Sequence, residues 1–231
     1  MKEFTLTLII LIVLSSLSVF AYVKSFKKVE SFFVQLFESQ KYPIHKDVTT
    51  TIFWVGEEES PENDYISNDQ SAWSKNWLED FGGVDSPDSR KGYHPQDFVP
   101  KENPFYIALP YYDFEGRQHK ENIKLIPWYE EPIQEGISLV KNRWIKITSE
   151  KNVCYAQWED VGPNETNDVD YVFGNASPIN EFGVKAGIDI SPAVRDCLGV
   201  GNVSKVNWQF VDEKNVPDGP WRQIITRSGP S

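Results

Sequence analysis

Short runs rich in β-branched and aromatic residues, each closed by turn-forming residues, recur along most of this chain and leave room for little helix. They are VTTTIFWVG (Val48 to Gly56), FYIALPY, NIKLIPWY, NRWIKITS, NVCYAQWEDVG and VNWQFVD. Residues of this kind fit a pleated, half-buried surface, and runs this short suit strands. Only GIDISPAVRDCLGV, with its glycine stop, reads as a helix. Many short strands with one helix predict a mainly β fold, a small barrel.

The clearest local unit is NRWIKITSEKNVCYAQWED. Trp144, Lys146 and Thr148 alternate with Ile145 and Ile147, and SEKN then turns the chain back, which predicts a hairpin. Between the first two runs, residues 57–104 become acidic, polar and rich in Gly and Pro, as in EEESPEND and FGGVDSPDSRKG. This stretch reads as a long insertion with little regular structure, holding at most a short helix in SAWSKNWLEDFG, with Ser71 as N-cap and Gly82 as its stop. Loops this long are functional or mobile.

Residues 48–231 are therefore expected to form the barrel domain, with 22–47 as an amphipathic helix and linker, because Phe26, Val29, Phe32, Phe33, Leu36 and Phe37 recur at three- and four-residue steps. Ahead of them, Phe4 to Ala21 is apolar and uncharged and ends in Val-Phe-Ala, the small-x-small pattern of a signal cleavage site. Residues 1–21 are thus expected to be a signal peptide that delivers the chain to the periplasm or the extracellular space. Lys24, Lys27 and Lys28 leave open a membrane anchor at 4–21 instead.

With 34 acidic against 23 basic residues the chain has no basic stripe for phosphates, and nucleic acid is excluded as a partner. Eight Trp, ten Tyr and fourteen Phe suit a folded domain and also carbohydrate binding. Cys154 and Cys197 fit either one disulfide in an oxidising compartment or two free thiols. His45, His94 and His119 lack metal-ligand spacing, and no nucleotide, phosphate or hydrolase-elbow motif appears, so no cofactor is implied.

Three blocks between Asn142 and Asp212 carry a resemblance: the hairpin ending in Trp158-Glu159-Asp160-Val161-Gly162-Pro163, then Gly187-Ile188-Asp189-Ile190-Ser191-Pro192-Ala193 leading into VRDCLGV, then VNWQFV. In this order they resemble the double-psi β-barrel superfamily of rare lipoprotein A, expansins, barwin-like proteins and family-45 endoglucanases. The resemblance implies a six-stranded double-psi barrel and a cell-wall or extracellular polysaccharide, peptidoglycan included, as partner. Asp160 matches a position implicated in peptidoglycan cleavage in rare lipoprotein A, and Asp189 the acid of expansins and family-45 endoglucanases. Where rare lipoprotein A carries a histidine, FYIALPYYDF has Tyr112 and Asp113 instead.

Glycosidic cleavage needs an acid for the leaving oxygen and a second group for the attacking water or sugar carbon. The candidate carboxylates are Asp160, which could instead brace the Gly162-Pro163 turn, Asp189, which could instead cap the following helix, and Asp113. Tyr111, Tyr112, Trp158 and Trp54 are candidate sugar-stacking surfaces or core, and His94 a candidate cleft residue. The expected function is polysaccharide engagement, with glycoside hydrolase or lytic transglycosylase activity left open. The alternative is a non-catalytic interaction module that uses the acidic insertion 57–104.

Overall fold

A computed structural model describes residues 41–63 and 65–227. The signal or anchor segment and the amphipathic helix lie outside the described residues. From Tyr42 onward the chain forms a single compact unit.

Six strands close into a barrel: β1 (His45–Ile52), β2 (Tyr106–Leu109), β3 (Trp144–Thr148), β4 (Val153–Val161), β5 (Ile188–Ile190) and β6 (Val203–Val211). Around the barrel the order is β1-β6-β3-β4-β2-β5 and back to β1. The pairs β1/β5 and β2/β4 are parallel and the other four antiparallel. Advancing every strand number by three, with wrap-around, maps this order onto itself: β1/β5 becomes β4/β2 and β1/β6 becomes β4/β3. Such a closed mixed barrel is compatible with a double-psi topology.

The β3/β4 hairpin forms where its alternation places it, with Ile145 opposite Ala156 and Ile147 opposite Cys154, all four fully buried. Ser149 N–H closes the turn on the Asn152 carbonyl at 3.0 Å. Inside the barrel these residues meet Ile107, Leu109, Trp158, Ile188, Ile190, Trp208 and Phe210. Each large apolar side chain so buried contributes roughly 1.5–3 kcal/mol.

Local rules also explain the end of the barrel crossed by a helix. Ser191 accepts the Val194 N–H as N-cap of α3 (Pro192–Leu198), Pro192 fills its first turn, and Gly199 ends it in the left-handed region at φ 63°. Two shorter helices precede it: α1 (Trp77–Phe81) in the insertion and α2 (Val169–Val172), which the sequence pattern does not signal. In the insertion Gly82 ends α1 as expected, but Ser71 accepts the N–H groups of Trp73 and Ser74 in a turn of its own, and the residue before α1 is Asn76.

NIKLIPWY is not a strand. Glu121–Leu125 forms a 3-10 turn that buries Ile123 and Ile126 and leaves Leu125 exposed. A three-residue apolar step closed by Pro127 selects that conformation, which a short apolar run alone does not reveal. The first strand begins at His45 rather than Val48 and breaks off at Ile52, where the chain leaves for the insertion. Gly56, at φ 74°, makes the corner, since a Cβ there would come to 2.9 Å from both Leu78 Cδ1 and Val84 Cγ2.

The insertion lacks extended regular structure but is firmly packed. Trp77 and Phe81 build a second small core with Phe53, Val55, Tyr106 and Ala108 against the outside of the barrel. The Tyr106 hydroxyl accepts Val55 N–H at 3.0 Å and donates to buried Asp85 at 2.9 Å, and Asp85 is paired with Arg90. Arg90 also donates to the Tyr93 carbonyl at 2.7 Å. Insertion and barrel are thereby clamped together beside β2.

Candidate functional site

One row of residues crosses four adjacent strands. Asp160 on β4 lies opposite Ala108 on β2, Ala108 opposite Asp189 on β5, and Asp189 opposite Thr51 on β1. Residues paired in this way project from the same face of a sheet. Ile107 and Ile190, one position away, belong to the barrel core, whereas Ala108 packs in the outer core under the insertion. The two aspartates therefore face outward, separated by the methyl group of Ala108. Between Ile107 and Ala108 the β2/β4 register shifts by one residue, a bulge that inserts Glu159 and re-aims Asp160.

Each carboxyl group is held differently. Asp160 is 8% exposed; its Oδ1 accepts the Ala72 N–H at 2.8 Å, so the insertion folds back onto it. Burial pushes its pKa up to about 7, against the pull of the Ala72 and Val161 N–H groups. Asp189 is half-buried and accepts the Thr51 hydroxyl. Its pKa is also raised to about 7, by burial first, opposed by that hydroxyl and reinforced by the negative charges of Asp160 and Glu57. Glu57, at the root of the insertion, is likewise pushed up to about 7 by burial, although Trp54, Asn68 and Asn63 hydrogen-bond to it. Glu159 is almost wholly buried, and burial holds its carboxyl well above the usual range.

Near neutral pH such a cluster carries both protonated and ionised carboxyl groups. That is the condition for giving a proton at one atom and taking one at another.

Aromatic rings flank the row. Trp158 is fully buried in the barrel core, closed to any sugar, and its indole N–H donates to the Asp160 carbonyl at 2.7 Å. Trp73 packs edge-on to Trp158 at 6.2 Å and lies 6.1 Å from Tyr112, and its indole N–H has no hydrogen-bond partner. Tyr112 and Trp54 are half-buried, and Trp54 leads into the turn that carries Glu57. Tyr111 is core: it is fully buried, donates to Asn122 at 2.9 Å and packs on Phe173.

The remaining sequence candidates stand apart from this row. Asp113 is fully buried and accepts the Ser138 hydroxyl at 3.0 Å and the Leu139 N–H at 2.6 Å, which makes it a brace for that loop. His94 sits half-buried on a two-stranded ribbon, its pKa lowered by burial and by Arg90. Cys154 and Cys197 are both free thiols; burial, and then its neighbour Cys197, raises the pKa of Cys154. Asp160 accepts the backbone N–H groups of Ala72 and of Val161, which adjoins the Gly162-Pro163 turn, and Ser191 rather than Asp189 caps α3. A Cβ on Gly162 would lie 3.5 Å from Asp189 Oδ2 and 3.9 Å from that of Ala108, so the turn borders the space between the aspartates.

Glu57, Ala72, Trp73 and Thr51 join the site without having been signalled by sequence. Among the described residues no group of His, Cys, Asp and Glu could hold a metal ion, and no helix is long and apolar enough to cross a membrane. No known family model matches the chain, and no curated protein does.

Proposed function

We propose that this protein is an exported double-psi β-barrel that binds a cell-wall or extracellular polysaccharide in the cleft between barrel and insertion and cleaves it with Asp160 and Asp189. The strand order that repeats under a shift of three supports the double-psi assignment, and the apolar stretch from Phe4 to Ala21 supports export. The observation that carries the function is the outward-facing pair of aspartates on either side of Ala108, both with pKa near 7.

Two strand spacings separate the backbones of Asp160 and Asp189 by about 9–10 Å. Side chains that lean together from there fall within the roughly 6.5–9.5 Å that leaves room for a water between two carboxyl groups. Asp189, beside the charges of Asp160 and Glu57, holds its proton and is the general acid. Asp160, which accepts two backbone N–H groups, is the member better able to carry charge and is the base. In the reaction, water attacks the anomeric carbon and gives a proton to Asp160. The carbon–oxygen bond to the leaving sugar breaks, and that oxygen takes the proton of Asp189. The half-buried rings of Trp73 and Tyr112 line the approach. The partial exposure of Asp189, the member of the pair not covered by the insertion's Ala72, supports this reading over a purely structural barrel.

The test is incubation of the purified protein with insoluble peptidoglycan and with cellulose, scoring pelleted protein and released sugar for wild type, Asp160→Asn and Asp189→Asn. Release that either substitution abolishes is the expected result. Pelleting without release reduces the proposal to binding, and neither pelleting nor release overturns it.

A further inference from the structure

The chain has two cysteines, and the fold brings both to one place. Cys154 lies on β4 with its side chain fully buried. Cys197 stands in the last turn of α3, half-buried, and packs against the core to which Cys154 belongs. Its Sγ sits 3.9 Å from the carbonyl of Val153, the residue before Cys154, and the two thiols hydrogen-bond to each other. The elements that carry them are fixed. The Leu198 carbonyl accepts the Ser149 hydroxyl at 3.0 Å and the Asn152 amide at 3.2 Å, which docks the end of α3 onto the β3/β4 turn.

The two sulfurs differ in access. Cys197 meets the Val153 carbonyl at a contact open to solvent, whereas Cys154 is sealed in the core. Burial, and then the hydrogen bond to Cys197, push the Cys154 thiol up, so it stays protonated and inert toward a reagent in solution. An oxidant therefore meets Cys197 first, with Cys154 in reach of the product. A pair of inert core thiols has no need of one member at the surface, but an attacking cysteine with a resolving partner is built this way.

We infer that Cys154 and Cys197 are the reduced form of a disulfide staple, which forms when the protein meets a disulfide oxidant and ties α3 to β4. First, the Cys197 thiolate attacks one sulfur of the oxidant, which breaks the oxidant's disulfide and releases one thiol. Cys154 then gives up its proton and attacks the Cys197 sulfur of the mixed disulfide, and the second thiol leaves. The two cysteines lose two electrons and the oxidant gains them. Oxidants of this class are what an oxidising compartment supplies.

The position of the staple gives it a consequence for the site. From Cys154 to Cys197 the chain carries the rest of β4 with Asp160, then α2, β5 with Asp189, and α3. The bond turns this stretch into a closed covalent loop of roughly 40 residues, with both aspartates inside it. It therefore limits how far β4 and β5 part when the barrel loosens. The inference does not depend on the glycan reading of the cleft.

The experiment incubates the purified, reduced protein with glutathione disulfide, quenches it with an alkylating reagent in denaturant, and reads the intact mass, the peptide map and Tm. Wild type should end with neither cysteine alkylated and no glutathione adduct, with the peptides of Cys154 and Cys197 joined, and with Tm about 5–15 °C above that of the reduced protein. Cys154→Ala should stop at one glutathione adduct on Cys197, because the resolving thiol is gone. Cys197→Ala should carry no adduct, because the remaining thiol is sealed. Two alkylated cysteines in the treated wild type, or a bridged protein no more stable than the reduced one, overturn the inference. An adduct on Cys154 in the Cys197→Ala variant overturns the order of attack. The wild-type measurement needs no variant, so it decides even where a cavity at position 154 unfolds the chain.

Discussion

Replacing Asp160 with Asn should make the protein more stable above neutral pH and leave it nearly unchanged in acid. In the folded protein this carboxyl group titrates at about 7 because it is buried; in the unfolded chain it titrates near 3.9. Below about pH 4 both states hold the proton and the raised value costs nothing. Between there and 7 the unfolded chain has released its proton while the folded one keeps it, so stability falls by about 1.4 kcal/mol per pH unit. Above 7 both states are ionised and the penalty levels off at about 4 kcal/mol. Asn never ionises, fills the same volume and retains an oxygen for the Ala72 N–H. Allowing for relaxation around the charged form, the variant should gain on the order of 2–4 kcal/mol at pH 8 and essentially nothing at pH 3.5. For a domain of this size that gain raises Tm by about 5–15 °C. Thermal unfolding of wild type and variant at pH 3.5, 6 and 8 measures it. A variant no more stable than wild type at pH 8, or a gain equal at all three pH values, refutes the argument. The same substitution should lose sugar release, so stability and activity move in opposite directions.

Glu57→Gln removes a negative neighbour of Asp189, so the alkaline limb of the pH profile for sugar release should move to lower pH; an unmoved limb would place Glu57 outside the site. His45 is buried against Trp208 with its pKa lowered to about 4. Stability should therefore be intact above pH 6.5 and fall by about 3 kcal/mol as pH drops from there to 4, and His45→Phe should flatten that fall in denaturant titrations. Trp158→Ala empties the middle of the core and leaves the Asp160 carbonyl without its indole donor, costing about 3–5 kcal/mol in urea unfolding.

What could be read from sequence was mostly what neighbours in sequence determine. The β3/β4 hairpin, the run into β6, and Ser191 and Gly199 at the ends of α3 follow from alternation, turn chemistry and capping, all within a few residues. NIKLIPWY misled because an apolar step of three suits a 3-10 turn as well as a strand. In the site, Asp160 and Asp189 stand in motifs, but their meeting across Ala108 depends on each pairing with a residue far away in sequence, on a strand that precedes both. Glu57, Ala72 and Trp73 were illegible for a related reason. They belong to a polar insertion whose course over the barrel is set by Tyr106, Asp85 and Arg90, three residues with no pattern to link them. Asp113 looked like a cleft residue because it follows two tyrosines, yet its partners come from a loop 25 residues onward.

The strand order has a consequence for how such a chain can come into being. Each of the six pairings joins one of β1, β2 and β3 to one of β4, β5 and β6; no two strands of the same half touch. Neither half therefore owns a sheet, and the first three strands have nothing to pair with until the hairpin into β4 is made. The halves interleave like the fingers of two hands. A chain emerging from its N-terminus stays without any barrel structure until the hairpin of residues 144–161 exists, and the ring closes only when Val203–Val211 arrives. A domain wired this way pays for long-range pairings before any of its strands is secured, and folds slowly for that reason.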